Sequence, residues 1–299
     1  MLASSVGFAN LLSQSRLAVG AGKTNVDRNL GFRDLIGIGG TLVVVSKSTQ
    51  RLEMGSELVT GAAIAEAERA TDRALRQFAT YRNMITATYD PSWAVVTGYY
   101  AAFFAANAAL SWCGRGFCRL DSKGGSVAPG LGGLCQASIA PGSYTGTLEI
   151  EFTRVGKNSH VRTWNGAVAL ASEAAGVAGG AQGDRATFAS LADMIRRPTL
   201  VSAERNRINY DTSVSPFHAQ PWRSAIPALV DASAVGERVL YFAGQPSEAR
   251  FELLAAGWLS LCGEFQRDFA LRGGRRDPRR GTRRSAWFPA GSPLAWVAV

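Results

Sequence analysis

The chain has 299 residues, of which 46% are hydrophobic and 18% are charged, a balance that argues against a largely disordered protein and predicts one or two globular domains. The formal net charge of +9 indicates nucleic-acid binding only weakly, because residues 272–284 alone carry seven arginines and one aspartate. The four cysteines and two histidines are too scattered for a zinc site, so we expect no metal and no cofactor. Residues 1–20 lack the pattern of a secretory signal, and we therefore expect a cytoplasmic protein with reduced thiols.

The first 55 residues form a mixed N-terminal extension to which the sequence assigns no role. An apolar periodic segment covers residues 8–17, and a strand interrupted by glycines is predicted over residues 35–45. Residues 21–24, with sequence AGKT, match the end of a phosphate-binding loop, but Leu17 stands where that motif requires a glycine. We therefore reject a nucleotide-binding loop at this position.

Two long helices are predicted next. Residues 58–89 are rich in alanine, lack proline and carry an apolar stripe, which predicts an amphipathic helix. Asp90 and Pro91 end this helix and begin another. The second helix, Trp93–Trp112, has twenty residues without a charge, long enough to cross a bilayer. Its polar residues and seven alanines favour the buried helix of a bundle instead, so we expect no membrane span.

A small β-containing insertion is predicted at about residues 114–183. Residues 114–142 are rich in glycine and serine and predict a long loop, whereas residues 146–155 alternate apolar and polar side chains as a strand does. We expect this strand to pair in a small hairpin. Helices are predicted over residues 160–175 and 184–197, the second capped by Asp184 and ending before Pro198.

The last third of the chain is predicted to hold a helix that begins near Pro198, a mixed apolar segment at residues 225–241 and a strong helix over residues 247–271. The like charges of residues 272–284 repel one another, and we therefore expect a mobile tail there. Residues 286–299 are apolar enough to dock back onto the protein. The expected domains are therefore an extension at 1–55, a helical domain at 56–271, and a basic tail with an apolar end at 272–299.

The segment 205–210, with sequence RNRINY, is the strongest candidate for chemistry in the chain. In a helix, Arg205 and Asn209 are four residues apart and share a face, while Asn206 and Tyr210 form a second pair on the next stripe. Such a flank can converge on a phosphate group. The alternative interpretation is an exposed helix end with solvated arginines and a tyrosine packed over it.

Two segments together resemble a known family. Residues 99–110, with sequence YYAAFFAANAAL, are similar to the tyrosine- and alanine-rich core helix of HEPN (higher eukaryotes and prokaryotes nucleotide-binding) domains. The family motif is an arginine, a polar residue, a few further residues and a histidine, and the segment 205–210 lies downstream where it falls. Arg205 and Asn206 match the start of this motif, whereas Tyr210 stands at the position of the histidine.

The resemblance implies a mainly α fold, with a HEPN-like helical bundle over residues 56–271 and a small β-containing insertion. Many HEPN proteins are metal-independent endoribonucleases of toxin or antiphage systems, and they commonly form dimers in which two motifs face each other. The resemblance therefore implies RNA as substrate, no cofactor, a homodimer, and an antitoxin or defence-system protein as a further partner. Other members have lost catalysis, so an inactive RNA-, nucleotide- or protein-binding module is the alternative.

Metal-free RNA cleavage uses the 2′-hydroxyl as nucleophile, so a protein must remove its proton, neutralise the phosphorane and protonate the leaving oxygen. Among the catalytic residues that the resemblance implies, Arg205 would grip two phosphoryl oxygens, and Asn206 would orient the scissile group or Arg205. Tyr210 is a phenol protonated at neutral pH and suits a proton donor better than a base. His218 is an alternative proton carrier. The substrate-binding residues expected around the motif are Arg196, Arg197, Arg207 and Asn209.

Overall fold

The computed structural model describes residues 30–39, 41–86, 91–120, 132–143, 146–156, 158–177, 182–195, 201–203, 205–206, 232–242, 250–271, 278–288, 292 and 294–297. Helices make up most of these residues, and five strands form one antiparallel sheet. The mainly α fold with a small β portion, predicted from the sequence, is therefore confirmed. The predicted apolar segment at residues 8–17 and the rejected loop at 21–24 lie outside the described residues.

The elements alternate between a helical part and the sheet. In chain order, the helices are α1 (Phe32–Ile38), α2 (Ser56–Thr86), α3 (Pro91–Trp112), α4 (Ser159–Val177), α5 (Gln182–Ile195), α6 (Ala232–Phe242), α7 (Arg250–Leu271) and α8 (Pro278–Trp287). The strands are β1 (Thr41–Ser46), β2 (Thr49–Gly55), β3 (Arg115–Leu120), β4 (Gly133–Pro141) and β5 (Thr147–Arg154). Residues 201–203 and 205–206 are also helical, and a 3₁₀ turn at Ala295–Val297 follows α8.

Helix α3 is the centre of the larger hydrophobic core. Pro91 is its first residue, a position where the missing N–H of proline costs no hydrogen bond. Helices α2, α4 and α7 pack around α3, and its alanines are fully buried against them. The stretch Trp93–Trp112 is long and apolar enough to cross a membrane, but 83% of it is buried inside the protein. Burial of this extent is typical of the core helix of a globular protein.

The five strands lie in the order β1-β2-β5-β4-β3, and each neighbouring pair is antiparallel. Strand β2 pairs with β5 along its whole length, from Thr49 to Gly55. A second hydrophobic core joins the sheet to α1 and to the first turns of α2, and it includes Phe32, Leu52 and Phe152. Residues 41–55, which the sequence left without a role, thus build one sheet with the predicted insertion.

The predicted strand over residues 35–45 is wrong in its first half, because α1 extends to Ile38 and β1 begins only at Thr41. The start of α1 is fixed by Asp34, whose carboxylate accepts a hydrogen bond from the Gly31 N–H at 2.7 Å. Leu35 then packs into the second core from the same helix. The glycines that we interpreted as breaks in a strand instead separate a helix from a strand.

The predicted long loop at residues 114–142 is also wrong, since β3 and β4 occupy both of its ends. Residues 121–131 between them lie outside the described ranges. Strand β3 alternates buried and less buried positions, but two of its buried residues are Gly116 and Cys118. Side chains this small give little hydrophobic signal, and the alternation therefore escapes a search for apolar residues at every second position.

The remaining predicted elements agree with the structure within the described residues. The helices predicted at 58–89, 93–112, 160–175, 184–197 and 247–271 correspond to α2, α3, α4, α5 and α7, and the strand predicted at 146–155 corresponds to β5. Helix α5 begins at Gln182, so Asp184 stands inside its first turn rather than at the cap position before it.

The basic tail differs from the mobile segment that its charge predicts. Helix α8 begins at Pro278, and its Arg284 is fully buried, with Nε donating to Asp72 Oδ1 at 2.7 Å and Nη2 donating to Glu68 Oε2. Burial disfavours this charge, but Glu68 and Asp72 more than compensate and raise the pKa of Arg284. The two carboxylates of α2 therefore hold α8 in place. As its composition predicts, the apolar end docks as well, burying Phe288, Leu294 and Val297.

Candidate functional site

Two of the residues predicted to carry chemistry lie in the described part of the chain. Arg205 and Asn206 are consecutive helical residues. The other predicted site residues lie outside it: Arg196, Arg197, Arg207, Asn209, Tyr210 and His218. The structure thus describes the first two residues of the segment 205–210, and the candidate site surrounds Arg205.

Arg205 is held against α3 by hydrogen bonds and ring contacts. Its Nη1 donates to the Tyr100 hydroxyl at 2.9 Å, and its Nη2 donates to Asn206 Oδ1. The guanidinium carbon lies 5.6 Å from the ring centroid of Tyr99 and 5.8 Å from that of Tyr100, within cation–π range. Its Nε is buried and forms no hydrogen bond with a described residue. Holding Arg205 in this way is one of the two roles expected of Asn206.

A histidine that the sequence analysis did not select lies in the same cluster. His160 is the second residue of α4, and its Nδ1 is 2.8 Å from the Tyr99 hydroxyl. Its ring stacks on Phe103 with centroids 4.3 Å apart and meets the Tyr100 ring edge-on at 6.1 Å. The structure therefore brings an arginine, two tyrosines and a histidine together from three separate segments of the chain.

The Tyr99 hydroxyl is the centre of the hydrogen bonds in this cluster. Trp164, one turn after His160 on α4, donates its Nε1–H to this hydroxyl at 3.2 Å, and Ser202 Oγ lies 3.5 Å from it. Because indole is only a donor, the Tyr99 oxygen accepts this bond and its own proton is left for His160 or Ser202. The network therefore accommodates both tautomers of His160.

In one arrangement Tyr99 donates to His160 Nδ1, so that a neutral imidazole carries its proton on Nε2. In the other, Nδ1–H donates to the Tyr99 oxygen, Tyr99 donates to Ser202, and Nε2 presents a lone pair. Among the residues that the structure describes, none forms a hydrogen bond with Nε2. In the second arrangement its lone pair is the one that can accept a proton.

The environment keeps His160 uncharged. Burial lowers the pKa of His160 below its ordinary value, and the nearby Arg205 guanidinium lowers the pKa further. Burial also raises the pKa of Tyr99 despite hydrogen bonds from Ser202 and Trp164 that favour its phenolate. At neutral pH the cluster therefore contains the positive charge of Arg205, the neutral imidazole of His160, which can accept a proton, and the neutral phenol of Tyr99.

The sequence carries a signal for His160 in its spacing from Trp164. His160 and Trp164 are four residues apart at the start of a predicted helix, so they share one face. A polar side chain and an indole on one helical face mark a surface that is only partly apolar. What the sequence does not show is that this face meets Tyr99, sixty-one positions earlier in the chain than His160.

The described residues give little support to a thiol nucleophile or a metal site. All four cysteines are buried free thiols, and burial raises the pKa of Cys113 and Cys118 to about 12, which removes them as nucleophiles at neutral pH. Within the ranges given above, no group of three or more His, Cys, Asp or Glu side chains is placed to hold a metal ion. The cluster around Arg205 is therefore the candidate site.

Comparisons with known proteins give no relative for this chain. No protein-family model matches it, no curated protein matches it, and no solved structure matches it. The function must therefore be argued from the geometry of the cluster and from the sequence resemblance alone.

Proposed function

We propose that the chain is a HEPN-like endoribonuclease that cleaves RNA without a metal ion. The observation that supports this proposal is the cluster in which Arg205, the start of the motif, lies with Tyr100 and His160. The motif of the resembled family pairs an arginine with a histidine, and the position of that histidine is Tyr210 here. His160, supplied by α4, places an imidazole near the arginine by another route.

In the proposed reaction, His160 Nε2 takes the proton of the RNA 2′-hydroxyl and the 2′-oxygen attacks the adjacent phosphorus. The guanidinium of Arg205 stabilises the charge on the phosphoryl oxygens, for which Nη1 and Nη2 each have a second N–H donor beside the one used within the protein. The bond from phosphorus to the 5′-oxygen breaks, and that oxygen takes a proton, which we assign to Tyr210. The products are a 2′,3′-cyclic phosphate and a 5′-hydroxyl.

A helical bundle of the HEPN kind, a homodimer with facing motifs and a role as toxin or antiphage effector belong to the same proposal. They rest on the resemblance of residues 99–110 and 205–210, with an antitoxin or defence-system protein as the expected partner.

A second function, an inactive binding module, is favoured by one contact pattern. Nη1 and Nη2 of Arg205 each already use one of their two N–H groups within the protein and Nε is buried, so fewer of its five donors are left for a phosphate.

The test is cleavage of labelled RNA by the purified chain in the presence of EDTA. We expect Arg205→Ala to reduce the rate by about 100-fold or more, and His160→Asn by about 100-fold, the usual cost of losing a charge stabiliser or a general base. Arg76→Gln is the control, since Arg76 is an exposed arginine on α2. It should leave the rate unchanged.

The ends of the products and the substrate give a second check. The mechanism requires cyclic-phosphate ends and no cleavage where a single 2′-deoxy nucleotide replaces the scissile one. Cleavage that survives Arg205→Ala would refute the proposed site. Tight RNA binding that depends on Arg205, with no turnover in any condition, would instead favour the binding module.

A further inference from the structure

A row of aromatic side chains leads away from Arg205 along α3. Tyr100, Phe103 and Phe104 lie at positions i, i+3 and i+4 of one helical face, and all three are partly exposed. We call these three residues the aromatic ridge. The rings of Tyr100 and Phe104 stack with centroids 6.2 Å apart and planes at 29°. The alanines on the opposite side of α3 are fully buried: Ala101, Ala102, Ala105 and Ala106.

A second guanidinium lies at the far end of the ridge. Arg73, on α2, has its Cζ 6.0 Å from the ring centroid of Phe104, the outer limit of a cation–π contact. The side chain is exposed, and no described residue forms an ion pair or hydrogen bond with it. The neighbouring Asp72 is occupied by Arg280 and Arg284. Within the described residues, the Arg73 guanidinium is therefore not committed to a carboxylate.

The two cations lie over rings that are one helical turn apart on α3. Arg205 lies over Tyr100 and Arg73 over Phe104, and these two ring positions are one helical turn apart, a rise of about 6 Å. That rise is on the scale of the distance between neighbouring phosphates of one strand. Rings between two cations also provide stacking surfaces for a base.

We infer that the aromatic ridge and Arg73 form a nucleotide subsite for single-stranded RNA, in which a base stacks on Phe104 and Arg73 binds the phosphate next to the one held by Arg205. Bases of a duplex are already stacked and paired, so only an unpaired strand offers a free base face to the ridge. The subsite deepens the proposed function and rests on it for identifying the phosphate at Arg205 as the scissile one.

Binding is measured first, by fluorescence anisotropy with a short RNA that carries 2′-O-methyl groups throughout and cannot be cleaved. Arg73→Gln should weaken binding and reduce the slope of log K against log salt by about 0.7, the value for one phosphate contact on a single strand. Phe104→Leu, which keeps an apolar side chain in the partly buried position, should weaken binding about 5-fold or more through lost stacking.

The matched control is Arg119→Gln, which removes the same charge at an exposed arginine of β3. It should leave both affinity and salt slope close to those of the unmodified protein. The same RNA annealed to its complement should bind more weakly, and its affinity should not change with Phe104→Leu. In cleavage assays, Arg73→Gln should raise KM and leave kcat unchanged.

The outcomes separate this inference from the proposed function. If Arg73→Gln behaves like Arg119→Gln, or if Phe104→Leu weakens duplex and single strand alike, the subsite is refuted even where Arg205→Ala still abolishes cleavage. If the chain cleaves no RNA but Arg73→Gln and Phe104→Leu selectively weaken single-strand binding, the subsite stands and the nuclease proposal fails.

Discussion

The buried carboxyl of Glu252 offers a quantitative test of the core beside the candidate site. Glu252 lies in the first turn of α7, next to Phe251, whose ring contacts that of Tyr99 with centroids 5.3 Å apart. Only 3% of Glu252 is exposed. Its Oε2 accepts a hydrogen bond from the Tyr81 hydroxyl at 3.2 Å, whereas its Oε1 is buried and accepts none from the described residues. We predict that Glu252→Gln stabilises the protein above neutral pH.

The magnitude follows from the pKa. Burial raises the pKa of Glu252 from 4.5 to about 7, despite opposing contributions from Tyr81 and Arg82. A carboxyl whose pKa is higher in the folded state binds more protons when folded, so stability is present below pH 4.5 and is lost as the pH rises through about 7. At about 1.4 kcal/mol for each pKa unit, the full loss is about 3 kcal/mol.

Urea unfolding of the protein and of Glu252→Gln between about pH 4 and pH 8 measures this loss. The range begins near the ordinary pKa of a glutamate and ends above the raised pKa of Glu252. The amide has the shape of the protonated carboxyl, so the two proteins should have similar stability at low pH. At high pH the variant should be more stable by up to about 3 kcal/mol. Glu57→Gln, at an exposed glutamate in the first turn of α2, is the control and should change stability by less than about 0.5 kcal/mol at either pH. A constant difference between the protein and Glu252→Gln across the pH range would show that Glu252 does not titrate as argued.

Three further substitutions test the packing of the tail, of the candidate site and of the second core. Arg284→Met should lower the free energy of unfolding by about 3–5 kcal/mol, because it leaves buried carboxylate charge on α2 uncompensated, and chemical denaturation measures it. Tyr99→Phe removes a hydroxyl shared by three side chains and should cost about 1–3 kcal/mol, with no change in the circular dichroism spectrum. Gly116→Ala should lower the melting temperature, since its Cβ would lie 2.5 Å from a ring carbon of α1, whereas Gly55→Ala, with open space around it, should not.

Much of the helical part could be predicted because its signals are local. The apolar stripe of α2 and the uncharged run of α3 are long, and Pro91 marks the boundary between them, so both helices lie close to the predicted residues. The sheet could not be predicted in the same way. Strand β3 has only six residues and carries glycine and cysteine at buried positions, and β4 is held between β3 and β5, so its pairing depends on distant segments of the chain.

Of the residues in the candidate site, the sequence predicted only Arg205 and Asn206. The segment 205–210 is contiguous, so Arg205 and Asn206 could be chosen from a pattern of neighbours. His160 and Tyr99 are brought together by the packing of α4 on α3, and no spacing in the chain encodes that distance. The prediction of a mobile tail failed because the run of arginines is visible in the sequence, whereas their partners are not. The two acidic residues of α2 that bind Arg284 lie more than two hundred positions earlier.

The closeness of Arg205 to His160 has a consequence for the proposed chemistry. In the free protein the guanidinium lowers the pKa of the imidazole, beyond the effect of burial, and keeps it unprotonated. A phosphodiester bound at Arg205 would bring a negative charge that opposes the guanidinium and so raises the proton affinity of His160. His160 would then be neutral before the substrate arrives and a stronger base once it is bound. Because kcat/KM reports the free enzyme and kcat the complex, the acidic pKa seen in kcat should lie above the one seen in kcat/KM, and both should vanish in His160→Asn.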